Sequence, residues 1–270
     1  LFREGALVKT FWRLVWVSLR QQTTYRAAMA AGLATNLFFG FLRVALMQAL
    51  YQEQGTVNGL SVGGAVTYIG ISQALIAFLF IFGTNDLMKS VATGEIGADL
   101  LKPVRLFTLW LGRDLGRALV NLVSRGVVFM LVFQFFYPLV WPTRWEQGLG
   151  FLLSLMVSWL LSFSWRFLVN LAAFWTPDAI GVGRAVFAVS QFFSGFILPL
   201  RLFPPLAQKI FHLTPFPSLL NTPIDIWLGL SSGSEMWLAI LTQVIWLGVL
   251  VALCQAGVRA GVRHLVIQGG

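Results

Sequence analysis

The sequence predicts an all-α integral membrane protein of six transmembrane helices. Three observations lead there: the 270 residues are 57% hydrophobic and 11% charged, the mean hydropathy is +0.79, and the apolar residues gather into runs of membrane-crossing length. Soluble domains carry about 45–50% apolar and about 25% charged residues, so this chain has less than half the charge of a water-facing surface. A cytosolic enzyme, a disordered tail and a secreted disulfide scaffold are excluded. One cysteine, Cys254, and two histidines, His212 and His264, predict neither an internal disulfide nor a metal cluster. A net charge of +9 would suggest nucleic acid as a partner in a soluble protein, but the 19 cations are spread along the chain, and no nucleic-acid partner is expected.

The chain reads as one unit over 1–270, beginning with an interfacial segment at 1–26. There Leu7, Phe11, Trp12, Leu14, Val15, Trp16 and Leu19 are interleaved with Lys9, Arg13 and Arg20. At 100° per residue the three cations fall within about 40° of one another. This describes an amphipathic helix lying in the membrane interface, cations toward the head groups and Trp and Leu in the acyl boundary. It is not the bare apolar core of a cleaved signal.

Six spans follow at 27–50, 63–82, 118–140, 149–175, 185–200 and 236–256, measured against the roughly 20 residues that cross a core of about 30 Å. The fifth is short and runs into a proline-rich stretch. Lys and Arg set the orientation. Thirteen cations fall on one side: Arg3, Lys9, Arg13, Arg20, Arg26, Lys89, Lys102, Arg105, Arg113, Arg117, Arg184, Arg259 and Arg263. Three fall opposite, at Arg144, Arg201 and Lys209. The expectation is a multi-pass protein of the cell's inner or plasma membrane with both termini in the cytoplasm.

No stretch matches the phosphate-binding loop G-x-x-x-x-G-K-[ST]; Gly63-Gly64 and Gly181-Val182-Gly183 lack the lysine and hydroxyl residue. Neither H-E-x-x-H nor G-x-S-x-G occurs, so no catalytic residue, cofactor or metal is expected on this chain. None of the ten acidic residues falls within a predicted span and no internal repeat is visible, which argues against an ion-coupled secondary transporter. Gly112-x-x-x-Gly116 and Gly257-x-x-x-Gly261 match a helix-packing pattern, but each lies at a span end with an arginine inside it and reads as chance.

Two connections stand out. The first is the long cytoplasmic link between spans two and three, centred on 91–105. Thr93 is expected to cap a short helix, with Glu95 and Asp99 near its start and Pro103 after its end. Ile96, Leu100 and Leu101 would share one side, forming a ridge that either docks on a protein partner or packs back on the bundle. The second lies at 201–230, where prolines at 204, 205, 215 and 217 interrupt an apolar run. Two short helices dipping into the outer leaflet fit it, since backbone at lipid depth must be helical or covered by protein; an ordinary outer loop is the alternative.

These features, in this order, resemble the membrane subunit of the type-2 ATP-binding cassette (ABC) exporter family across nearly the whole chain. The string Gly94-Glu95-Ile96-Gly97-Ala98-Asp99-Leu100-Leu101-Lys102-Pro103-Val104 is similar to a G-x-I-x-x-x-L-x-(K/R)-P pattern after span two in a bacterial subgroup that includes viologen and drug exporters. The resemblance implies a coupling helix in a groove on a separate cytoplasmic ATPase. It makes Gly94, Glu95, Ile96, Leu100, Leu101 and Pro103 contact residues, with Lys102 and Arg105 at the rim. It further implies two permease subunits, identical or related, over two ATPase subunits that hold ATP and Mg²⁺. The cargo would be a small hydrophobic or cationic compound moved outward, or alternatively a lipid or lipid-linked glycan.

In that family spans two and five commonly face the transport path. The polar positions there are Thr67, Tyr68, Ser72 and Gln73, then Ser190, Gln191 and Ser194, beside Phe187, Phe192, Phe193 and Phe196. An aromatic, sparsely polar path suits an aromatic cation, although most such rings in a membrane bundle serve packing. Arg43, Arg125 and Arg166 fall inside predicted spans, where an arginine costs about 2.5–3.5 kcal/mol on insertion scales. They are expected to pair with backbone carbonyls or to form a site for an anionic cargo or lipid head group.

Overall fold

The computed structural model describes residues 4–51 and 55–264, without the side chains of Glu4, Ala6 and Leu7. Arg3 and the Leu7 side chain, counted above with the interfacial segment, therefore lie outside the described residues.

Helix α1 (Glu4–Thr23) carries the amphipathic pattern and leads into α2 (Arg26–Leu50). A ribbon of β1 (Thr56–Val57) and β2 (Leu60–Ser61) turns on Asn58-Gly59, both at positive φ, as a two-residue hairpin requires. The Ser61 hydroxyl then accepts the Gly64 N–H at 3.1 Å and starts α3 (Val62–Leu75). Next come α4 (Asp86–Ala92), α5 (Ile96–Leu100) and α6 (Leu106–Asn121), which runs through a π-helical segment (Leu122–Val127) into α7 (Val128–Phe133). The rest of the chain forms α8 (Trp145–Asn170), α9 (Ala179–Phe193), α10 (Pro205–His212), α11 (Asn221–Trp227) and α12 (Ser234–Gly261).

Among the described residues, four segments are long and apolar enough to cross a membrane: Arg26–Leu50, Leu106–Phe133, Trp145–Phe174 and Ser234–His264. Val62–Leu75 and Ala179–Phe193 are apolar but shorter. Several expected boundaries move: the third segment ends at Phe133 rather than 140, the fifth is Ala179–Phe193 rather than 185–200, the sixth runs to His264 rather than 256, and two further shifts have a visible cause. The third span begins at Leu106 rather than 118, because Asp114 and Arg117 are paired inside the protein and do not interrupt the helix. The second stops at Leu75 rather than 82, because the chain turns through Phe80 at φ 49°. The guanidinium groups of Arg117 and Arg166 lie 5.3 and 4.9 Å from the centre of the Phe80 ring, and Ser162 Oγ donates to the Leu79 carbonyl.

Helices α8 and α12 run parallel. Gly150 meets Met236 near their starts, Ser154 Oγ donates to Gln243 Oε1 at 2.8 Å, the Cys254 thiol bonds the Ser164 carbonyl at 3.2 Å, and Gly261 abuts Phe174 at their ends. Two parallel helices need a returning segment, and α9 carries the chain back. The 201–230 region forms the two short helices α10 and α11, and α11 is buried against α8 with Ile224 and Ile226 inside the core.

The two glycine patterns read as chance are contacts. Gly116 sits where a Cβ would lie 2.4 Å from the Val15 carbonyl oxygen, and Gly112 rests on Phe11 and Leu14, so α1 lies directly on α6. Ser18 Oγ donates to the Arg113 carbonyl at 2.6 Å along the same seam. Gly257 and Gly261 seat α12 on Leu171 and Phe174. An arginine within each pattern points to another face of the helix and does not prevent close approach.

Candidate functional site

The connection between α3 and α6 is two short helices. Thr93, expected to start a helix, ends one: it is the C-cap of α4, its N–H bonding the Lys89 carbonyl at 2.9 Å. Gly94 follows at φ +77°, a conformation open to glycine at no steric cost, and turns the chain into α5. Glu95 stands at the N-cap position without a side-chain capping bond.

The expected ridge is split. Ile96 is 0% exposed, packed with Leu87, Leu106 and Phe167, while Leu100 is half-buried and Leu101 is 88% exposed. Asp99 is also buried: it takes both Nη groups of Arg113, at 2.7 and 3.0 Å, and Lys102 Nζ at 2.8 Å. Burial works to raise the Asp99 carboxyl, but the hydrogen bonds and charges of Arg113 and Lys102 outweigh it and hold the group below its ordinary value. One face of α5 is thus fastened to the bundle, and Gly94, Glu95, Leu101, Lys102, Pro103 and Arg105 are left outward.

Behind this element lies a charged core. Asp114 is 1% exposed and receives Arg166 Nη1 and Nη2 at 2.8 and 3.0 Å, Trp159 Nε1 at 3.0 Å and Arg117 Nη2 at 3.4 Å. Arg117 also pairs with Asp86, the first residue of α4. Asn170, one turn beyond Arg166, donates to the Thr84 carbonyl at 2.6 Å and accepts the Met88 N–H at 3.2 Å. The network joins α4, α6, α8 and the turns after α3. Asp114 corrects the expectation that no acidic residue is buried within a span. Its signal was present as the spacing Asp114–Arg117, one helical turn, in a largely apolar run that also holds Arg113.

The other two arginines meet mainly carbonyls. Arg43 donates to the carbonyls of Phe196 and, at 3.3 Å, Ile197, and to Ser72 Oγ at 3.2 Å, with its guanidinium 4.7 Å from the Phe196 ring. Arg125 donates to the Gly32 carbonyl at 3.2 Å and to Asn36 Oδ1 at 3.3 Å. Arg166 alone of the three pairs with a carboxylate.

The polar residues of α3 and α9 are held within the chain. The buried Tyr68 hydroxyl lies 3.0 Å from both the Gly195 carbonyl and Asn221 Oδ1. Thr67 Oγ1 donates to the Gly63 carbonyl and accepts the Val140 N–H, both at 2.8 Å. Ser72 and Ser194 bond nearby carbonyls, and Ser190 accepts Trp165 Nε1 at 2.8 Å. Gln73 is buried and Gln191 half-buried. Phe193 packs 4.8 Å from Phe211, Phe192 lies 5.3 Å from Phe203, and Phe187 packs against Gly83. Sequence reasoning did not find Asn221, which joins α11 to Tyr68 and to the Leu200 N–H at 3.3 Å.

Fold and site together define a polytopic α-helical membrane protein around a buried charged core, with a short helix held outward from it. The family model described as ABC-2 family transporter protein matches residues 37–269, and the chain belongs to that family of ABC type-2 permeases. No curated protein matches the chain. Membership makes it a membrane transport component, not itself catalytic, and implies association with ABC ATPase partners.

Proposed function

We propose that this permease exports a small hydrophobic or cationic compound of the viologen or drug type, using α5 as its grip on the ATPase. One observation carries the coupling assignment: α5 is fixed to the bundle through Ile96 and Asp99 while Leu101, Glu95, Lys102 and Pro103 face away. A helix held on one side and open on the other transmits a push. Because Asp99 holds Arg113 and Arg117 reaches both Asp86 and Asp114, force on α5 passes to α6, and through Arg166 to α8. Both termini lie in the cytoplasm in this reading, and the ATPase carries ATP and Mg²⁺.

The cargo class is supported by what surrounds α9. Val182, Val189 and Phe192 are exposed along it, Ile197 is exposed just after its end, and Phe82 is exposed beside Phe196. Arg43 near this face is already bonded to the Phe196 and Ile197 carbonyls and Ser72 Oγ, so its guanidinium is not a free site for an anionic cargo. An apolar, aromatic surface takes an aromatic cation better than an anion. A second permease subunit, identical or related, would close the path against the same face.

The test is co-expression with the ATPase partner and uptake of methyl viologen or ethidium by inside-out vesicles. ATP-dependent accumulation, lost in Leu101→Asp with the complex still folded, supports the reading. Uptake of a lipid-linked glycan but of neither cation overturns the cargo class. Full coupling in Leu101→Asp overturns the role of α5.

A further inference from the structure

We propose that the polar cavity between α10, α11 and the start of α12 binds a primary ammonium group, carried by a lipid head group or by a free amine. The cavity measures about 120 Å³, and its polar lining includes His212, Ser218, Thr222, Asp225 and Ser231. Thr222 and Asp225 stand three residues apart on α11 and so share one face of it.

Four oxygens on this lining carry no hydrogen bond to any described residue. Three are the hydroxyls of Ser218, Thr222 and Ser231. The fourth is Asp225 Oδ1, since Arg201 and Asn221 both bond Oδ2, at 3.3 and 3.1 Å. None of the four is sealed in. The closed side-chain atoms without a partner among the described residues belong to Asn85, Trp110, Arg117 and Arg125, all elsewhere in the fold. Ser218 and Asp225 are nevertheless only 4% and 7% exposed, so the cavity is what opens onto them.

The charge in the cavity is negative. Asp225 supplies its one carboxylate, and no Lys or Arg lines it. Burial raises the Asp225 carboxyl to about 6 against the pull of Arg201 and Asn221, so the single Arg201 contact leaves its charge under-compensated. Burial and the nearby Arg201 lower the His212 imidazole, which is therefore uncharged at neutral pH and accepts through one nitrogen.

The oxygens select among cations. A carboxylate oxygen and three hydroxyls can all accept N–H bonds, and a primary ammonium brings three donors. A quaternary ammonium brings none and is held by ring faces, whereas no described Phe, Tyr or Trp lines this cavity. Calcium takes about six to eight oxygens, more than one carboxylate and three hydroxyls provide. At roughly 30 Å³ for a water molecule the volume admits about four such groups, enough for the nitrogen and a short carbon chain. Pro217 and Ala239 give that chain an apolar wall.

Native mass spectrometry of the full chain in detergent tests this with phosphatidylethanolamine against phosphatidylcholine, which share a phosphate and a positive head group and differ in the N–H donors. Phosphatidylethanolamine is expected to bind about tenfold more tightly, as for one hydrogen bond to a charged group. Thermal unfolding with ethanolamine, tetramethylammonium or sodium is the second measurement, and ethanolamine alone is expected to stabilise. Asp225→Asn keeps the side chain's size and removes its charge, and is expected to abolish both effects. Thr222→Val removes a hydroxyl that bonds nothing in the chain and is expected to weaken both about threefold at unchanged stability, which guards against a misfolded Asp225 variant. Stabilisation by ethanolamine with equal affinity for the two lipids supports the site with a free amine as its ligand. Equal affinity without stabilisation, or unchanged effects in both variants, overturns the proposal. Sodium stabilising as well as ethanolamine overturns it in favour of a metal ion.

Discussion

Arg166 and Asp114, 52 residues apart, meet through both guanidinium Nη atoms in a site where neither side chain is more than 4% exposed. Removing one partner of a buried ion pair leaves an uncompensated charge and costs about 3–5 kcal/mol, whereas replacing both can be nearly neutral. Arg166→Leu is therefore expected to lose folded protein, and Asp114→Leu in the same chain to restore a large part of it. Fluorescence-detected gel filtration after heating measures both. A fully stable Arg166→Leu protein would refute the structural role of the pair.

Ile96 and Leu101 stand five residues apart on the same short element and predict opposite phenotypes. Ile96→Asp puts a charge into the cluster with Leu87 and Phe167 and is expected to lower thermal stability by more than about 3 kcal/mol. Leu101→Asp changes a solvated side chain and is expected to leave stability within about 0.5 kcal/mol while reducing ATPase co-purification. Stability curves and pull-down on the two variants separate packing from docking.

Gly116→Ala is expected to lift α1 off α6, because the new methyl group would meet the Val15 carbonyl, which is backbone and cannot swing aside. Gly257→Ala meets only the end of the Leu171 side chain and is expected to be milder. Disulfide trapping between cysteines placed on α1 and α6 reports the first effect; equal trapping in wild type and Gly116→Ala would refute it.

Acid is expected to loosen α5. The Asp99 carboxyl titrates lower in the folded protein than its ordinary 3.8, so its contribution is full above that value and is lost as pH falls through the lower folded one. Asp99→Asn should reproduce the loosening at neutral pH and remove this acid step. Proteolysis at the Gly94 turn, followed against pH, measures it; identical profiles for the two proteins would contradict the pairing.

The order of elements was legible from hydropathy alone: an amphipathic start, apolar runs, a charged connection and a proline-broken segment each have a local signature. What was hidden depends on distant partners. Asp114 looks like a helix-end charge until Arg166 is known to lie against it. Thr93 has the side chain of an N-cap, and only the left-handed Gly94 shows that the helix lies before it. Ile96 and Leu101 are equally apolar, so burial of one and exposure of the other follows from the packing of α6 and α8 and not from either residue. For the paired glycines, the Val15 carbonyl that requires Gly116 is just over a hundred residues away.

The parallel pairing of α8 and α12 has a mechanical consequence. Gln243 grips Ser154, Ser158 and the Ser218 carbonyl at one level, and Cys254 bonds Ser164 farther along. Helices riveted at two levels cannot slide past each other without breaking buried hydrogen bonds, so they travel as one plank. The turn after α3 rides on the same plank, because Ser162 of α8 donates to the Leu79 carbonyl and Arg166 of α8 lies against the Phe80 ring.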